Sequence, residues 1–266
     1  MDNGTGPFAG KAVLITGAGT GIGAATARRM GRMGADVVLV GRRMDPLKAV
    51  ADQIGGHAFA ADAADPDGAA AAVAEAQRLF GRLDIVVSNA GGHGFAALAE
   101  VSDADWDAAR RANLDTSVMI LRAALPALIE SQGAICLTAS LASRFAAPEG
   151  FGYTAMKHAQ IGVMRSIARD YGPKGVRCNA VCPGWVTTEL ADAEMDELMQ
   201  RRGLASREEA YALLTRNVPL RCPASPDDVA AAIAFLCSPD AAAITGTTLT
   251  VDGGTSVVGS GSIGFE

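Results

Sequence analysis

Residues 11–30 read KAVLITGAGTGIGAATARRM, and the fold follows from how this stretch is parsed. KAVLIT (11–16) is a short apolar run with β-branched residues, the pattern of a strand buried on both faces. Glycines stand at 17, 19, 21 and 23. Without Cβ atoms they let the chain turn tightly and approach a ligand closely. The alanine-rich GIGAATARRM that follows reads as a helix whose free N–H groups and positive dipole end point back at the turn, a physical description that a pyrophosphate fits. Strand, glycine turn and helix in the first βα unit make a nucleotide-binding signal much stronger than glycines alone.

The same alternation runs along the chain. DVVLVG (36–41), HAFAAD (57–62), DIVVSN (84–89), GAICLTAS (133–140), VRCNAVCP (176–183) and TTLTVDGG (247–254) read as further strands. Helices are expected over 21–34, 45–55, 66–80, 104–131, 152–172 and 226–237, with starts punctuated by DPDG, VSDADW and SPDD. Seven strands alternating with helices imply an α/β, doubly wound, Rossmann-type parallel sheet in a single domain over 1–266. The one long departure is 187–225, polar, charged and methionine-containing. Placed between the sixth strand and the last helix, it is expected to cover a substrate as a lid. The tail SVVGSGSIGFE is expected to pack against another subunit.

With 266 residues, 49 % apolar and 20 % charged, the chain is long and apolar enough for a sizeable core. A net charge of −6 argues against nucleic-acid or anionic-membrane binding. MDNGTGPFAG lacks the basic and apolar regions of a signal peptide, and no uninterrupted apolar run approaches the roughly 20 residues that span a bilayer. A cytoplasmic protein is expected. Five cysteines, an odd number without a CxxC pair, and three scattered histidines read as reduced thiols with no metal site; Cys136, Cys178 and Cys182 fall in or beside apolar runs.

Two further segments carry chemistry. The second strand ends Val40-Gly41-Arg42-Arg43, with glycine where an NAD binder carries an acid and then two guanidinium groups. A carboxylate would repel a 2′-phosphate and arginine grips it, so NADP(H) is favoured, with NAD(H) possible. The basic residue that would second this choice is absent before the middle glycine, where Thr20 stands. FGYTAMKH (151–158) places Tyr153 four positions before Lys157, on one helix face. Ser140 ends the fifth strand, so its hydroxyl, the phenol and the ammonium border the crevice beyond the strands' carboxyl ends. Asn89-Ala90-Gly91 and Asn113 can line it too.

TGAGTGIG (16–23), Asp62, SNAG (88–91), Asn113, the Ser140–Tyr153–Lys157 set, PGWVTT (183–188) and TLTVDGG (248–254) follow one another at family spacing. On these, over nearly its whole length, the chain resembles the short-chain dehydrogenase/reductase family. The resemblance implies an oxidoreductase interconverting a ketone and a secondary alcohol by hydride transfer. Tyr153 would be the general acid/base, Ser140 would hold the substrate oxygen, Lys157 would bind the nicotinamide ribose, and Asn113 would hold a relaying water. Lowering a phenol from about 10 to about 7 takes roughly 4 kcal/mol. A cation about 4 Å away at an effective dielectric near 20 supplies energy of that order, so Lys157 together with the oxidised nicotinamide's charge accounts for the shift.

Implied cofactor contacts are Gly17, Thr20, Gly21, Ile22 and Gly23 at the phosphates, Arg42 and Arg43 at the 2′-phosphate, Asp62 and Ala63 at the adenine, Asn89, Ala90 and Gly91 at the adenosine ribose and the nicotinamide, and Pro183, Gly184, Val186 and Thr188 at the carboxamide. His93, Trp185 and Phe95 are candidates for the substrate wall. A homodimer or homotetramer through the faces of 104–131 and 152–172 is implied. Substrates open to this reading are 3-oxoacyl thioesters, cyclic ketones, steroids and polyketide intermediates. The alternatives are a non-catalytic NADP-binding redox sensor on the same fold, and an epimerase or dehydratase, which would need a longer carboxyl-terminal part.

Overall fold

The computed structural model describes residues 6–259; the end of the tail expected at a subunit contact lies outside them. Seven strands form one parallel sheet in the order β3-β2-β1-β4-β5-β6-β7. They are β1 Ala12–Thr16, β2 Asp36–Gly41, β3 His57–Ala60, β4 Ile85–Ser88, β5 Ala134–Thr138, β6 Arg177–Pro183 and β7 Thr248–Val251. Every residue of β1, β4 and β5 is buried, because helices cover both faces of the sheet. One layer holds α3 (Pro66–Phe80), α5 (Thr116–Ser131) and α6 (Phe151–Tyr171); the other holds α1 (Gly21–Arg32), α2 (Met44–Ile54) and α9 (Pro226–Cys237). The winding reverses between β1 and β4, which opens a crevice at their carboxyl ends. All five cysteines are free; Cys136, Cys178, Cys182 and Cys237 are buried and Cys222 is exposed.

The expected helix starts have local causes. Asp65 accepts from Gly68 N–H at 2.9 Å ahead of Pro66 in α3. Ser102 and Asp105 form a capping box on α4 (Asp103–Arg110), and Ser225 and Asp228 form one on α9. One expectation is corrected. The helix expected over 104–131 is not one regular helix: α4 and α5 are joined by a π-helical turn, Arg111–Asp115, and Asn113 sits inside it. Asp103–Ser131 as a whole is long and apolar enough to cross a membrane by length and composition; here Ile120, Leu121, Ala124 and Leu128 are buried in the core. Residues 187–225 hold α7 (Glu189–Arg202) and α8 (Arg207–Thr215), with a small apolar cluster of their own built on Ala191, Met195, Ala210 and Tyr211.

Candidate active site

The glycine turn leaves β1 through Gly17, at φ +64°, and enters α1 through Gly21, at φ +51°. Both angles favour glycine. A Cβ on Gly23 would run into Gly17 O and lie 2.6 Å from Asn89 Nδ2, so that position is closed to side chains. Asn89 ties down the turn, its Nδ2 donating to Thr16 O and Gly17 O at 3.2 Å each. Thr16 Oγ1 in turn accepts from Asn89 N–H and Ala90 N–H. Thr20 caps α1 with extended backbone but its side chain makes no capping bond, and the first turn of α1 carries no acid. Ile22 turns inward against the core. A glycine cradle below an uncapped helix start fits the pyrophosphate of a dinucleotide.

Arg42 and Arg43 are exposed at the end of β2, and Arg42 reaches Asp62 electrostatically. Asp62 accepts from Ala64 N–H at 2.9 Å and from Arg111 Nη2 at 2.7 Å. Burial works against its ionisation, but these bonds and the charges of Arg111 and Arg42 prevail and hold the carboxyl below its ordinary value. Ala63 is buried. Across the crevice, Pro183 ends β6 and Gly184 N–H donates to Val251 O. Val186 is buried. Thr188 caps α7, and its Cγ2 lies 3.2 Å from where a Gly21 Cβ would stand.

Ser140, Tyr153 and Lys157 come together. Ser140 Oγ accepts from Ala142 N–H at 3.1 Å, and its hydroxyl is hydrogen-bonded to the Tyr153 phenol. The Phe95 ring stacks on Tyr153 with centroids 4.9 Å apart. Lys157 Nζ lies 5.5 Å from the centre of the Tyr153 ring and donates to Thr138 O at 2.8 Å, its one hydrogen-bond partner among the described residues. Burial pulls the Lys157 ammonium down to about 8. Burial also pushes the Tyr153 phenol above its ordinary value; the Ser140 hydrogen bond opposes the rise and the Glu194 carboxylate on α7 adds to it. The protein's own groups thus raise the phenol. The expected lowering needs a positive charge beyond that of Lys157.

Asn113 makes three side-chain bonds to its surroundings, which leave one lone pair on Oδ1. Its Oδ1 accepts from Gly92 N–H at 2.8 Å, and its Nδ2 donates to His93 O at 2.9 Å and Ala109 O at 3.0 Å. A Cβ on Gly91 would lie 3.1 Å from Asn113 Oδ1 and 3.4 Å from Lys157 Nζ, so the three adjoin. His93 enters this set through its carbonyl; its ring is exposed and acts on Asp105. Trp185 packs on the small cluster of 187–225, whereas Phe95 covers the tyrosine. Sequence reasoning passed over Glu194, whose reach to Tyr153 depends on where α7 lies. It also passed over Gln160, whose only signal is an amide in a stripe of Met156, Ile161 and Met164.

A family model described as enoyl-(acyl carrier protein) reductase matches residues 17–256. Protein MoaE of Klebsiella aerogenes is 46 % identical over 258 residues, covering 96 % of this chain and 99 % of that protein. The structure of 3-ketoacyl-(acyl-carrier-protein) reductase from Brucella melitensis complexed with NADH aligns with TM-score 0.83 at 32 % identity, over 93 % of this chain and 99 % of that one. That of an actinorhodin polyketide ketoreductase with NADPH aligns with TM-score 0.86 at 30 % identity, over 92 % and 97 %. Near full-length similarity to named reductases, on a fold of the same class, makes this chain a member of the short-chain dehydrogenase/reductase family and an oxidoreductase of the CH–OH/C=O couple.

Proposed function

We propose that the chain interconverts a ketone and a secondary alcohol with NADP(H), Tyr153 being the general acid/base. The observation that carries this is Lys157, a buried ammonium whose one hydrogen-bond partner among the described residues is Thr138 O, beside a phenol that the Ser140 hydroxyl engages. Bound in the crevice, the nicotinamide supplies or accepts the hydride. Gly17, Thr20, Gly21, Ile22 and Gly23 hold its phosphates, and Asp62 with Ala63 hold the adenine end. Asn89, Ala90 and Gly91 border the adenosine ribose and the nicotinamide, and Pro183, Gly184, Val186 and Thr188 hold the carboxamide. The Ser140 hydroxyl, which takes Ala142 N–H on one of its two lone pairs, directs its one proton to the Tyr153 phenol and turns it to the substrate oxygen when substrate is bound. Tyr153 gives a proton to that oxygen in reduction and takes one in oxidation. Lys157 stabilises the phenolate from below and keeps two N–H donors for the ribose. Asn113 shapes the wall beside Lys157 and holds the relaying water. Two hydroxyls converging on one oxygen suit a carbonyl. Tyr153→Phe should lower turnover at least about 10²-fold while cofactor binding survives; near-normal turnover on a panel of ketones and secondary alcohols would remove the reading.

Arg42 and Arg43 carry the choice of NADP(H), since no acid stands at the end of β2. Arg42→Ala should weaken NADP by about tenfold or more and NAD far less, as expected for a lost charge-assisted bond; equal losses in a binding titration would place the phosphate elsewhere. Residues 187–225 serve as the substrate lid: α7 sets Leu190 against Gly92 and Glu194 within reach of Tyr153. Trp185 anchors the base of that lid, Phe95 walls the substrate side, and His93 stands at its rim. A homodimer or homotetramer through α4–α5 and α6 belongs to the same reading; a monomer in light scattering would remove it.

A further inference from the structure

Gln160 is fully buried, three positions beyond Lys157, and is the only amide on the buried face of α6. Its Nε2 donates to the main-chain oxygen of Asn113 at 2.7 Å and to Ser117 Oγ at 3.0 Å, and Ser88 Oγ donates to Ser117 Oγ at 2.9 Å. Asn113 O is a carbonyl and only accepts, so the amide nitrogen must face it. The other end of the carboxamide, Oε1, is buried with no protein partner among the described residues. A half-satisfied buried amide is a worse choice for stability than an apolar side chain of the same size. Gln160 therefore has another role.

Following the bonds onward gives a closed circuit. Gln160 holds the Asn113 carbonyl in the π turn. The Asn113 side chain holds Gly92 N–H and His93 O. Gly94 O, next in that loop, accepts from Tyr153 N–H at 3.0 Å. The circuit leaves α6 at Gln160 and returns to it at Tyr153, passing through the π turn and the loop that follows Gly91, the residue that adjoins Lys157. From this we infer that Gln160 is a positioning residue for the reaction: it locks the π turn and the 92–94 loop against α6, and so fixes Tyr153 and Asn113 relative to one another. This rests on Tyr153 being the acid/base.

The test compares Gln160→Met, Gln160→Glu and Tyr153→Phe. Turnover is read on a panel of D-glucose, D-threitol, levodione and a 3-oxoacyl thioester with both cofactors, and the Tyr153 phenol is titrated by difference absorbance with NADP⁺ present, which needs no substrate. Gln160→Met should melt no lower than the parent and bind NADP⁺ as well. Its kcat should fall up to about 10²-fold with KM little changed, as for a misplaced acid, and its phenol should titrate at a different pH. Gln160→Glu keeps a donor for Asn113 O only while protonated, so its activity and phenol titration should approach the parent's at acidic pH and depart from them as pH rises. Parental kcat, or a parental phenol titration where no panel member turns over, in Gln160→Met would overturn the inference. If Tyr153→Phe is inactive in that case, the proposed chemistry stands without it; an active Tyr153→Phe would overturn the chemistry itself.

Discussion

The sheet has a buried charge at each end. At the amino-terminal edge, Asp84 precedes β4; at the carboxyl edge, Lys157 bonds the last carbonyl of β5. Each is 3 % exposed. Asp84 is completely answered: Lys11 at 3.0 Å, Arg82 at 2.6 and 2.7 Å through both arms of its guanidinium, and Ala12 N–H at 3.0 Å. Burial alone would raise its pKa, yet those partners hold the carboxyl below its ordinary value. Lys157 has Thr138 O and no carboxylate within hydrogen-bond reach among the described residues, so burial pulls it down to about 8. Equal burial with opposite provision separates a charge tied into the framework from one that the proposed function puts to use in chemistry.

Substitution at the two ends should give opposite phenotypes. The largest effect is expected from Lys157→Met: a fall in turnover of about 10²-fold or more, with weaker cofactor binding. That variant should also be more stable at pH 7. A lysine whose folded pKa lies below its unfolded value of 10.5 destabilises the fold fully below pH about 8, by as much as about 3 kcal/mol, and the penalty fades as pH rises toward 10.5. Denaturant melts at pH 7 and 10 read this directly. A variant that is less stable at pH 7 would break the comparison.

Asp84→Ala should do the reverse. Its partners are half exposed and partly screened, so a loss of about 2 kcal/mol is expected, with kcat per folded molecule unchanged. A carboxyl with a depressed pKa stabilises the fold above its unfolded value near 3.8 and loses that contribution as pH falls through the folded value. The parent should therefore lose stability in acid more steeply than the variant. The smallest effect is expected from Glu194→Gln: removing a negative charge that holds the Tyr153 phenol up should move its titration, and the matching limb of the pH–rate profile, downward. An upward shift would mean that Glu194 does not act on the ring.

Much of this was legible in the sequence because its causes are local. The runs AVLIT and DVVLV are strands since helices cover both faces, and a run of apolar β-branched residues records that directly. The glycine turn records its own backbone angles, and Ser140, Tyr153 and Lys157 meet because parallel strands deliver their carboxyl ends to one edge. What escaped depends on distant groups. The break in the helix at 111–115 is held by Gln160, 47 residues further on. The direction of the Tyr153 shift follows from burial and from Glu194, which no spacing along the chain reveals. Asn89 spends its side-chain N–H donors on Thr16 O and Gly17 O of the glycine turn, a tertiary arrangement that SNAG alone does not display.

The π turn between α4 and α5 makes the chain count matter there. It contains one more residue than an α-helix would use for the same rise, a phase slip between two helices that otherwise run on in one direction. Deleting one residue of Arg111–Asp115 would leave a plain α-helix in which Ile120, Leu121, Ala124 and Leu128 still face the sheet, and would remove only the widened turn that carries Asn113. A deletion inside the regular part of α5 has no such slack and would swing the side chains beyond it by about 100°.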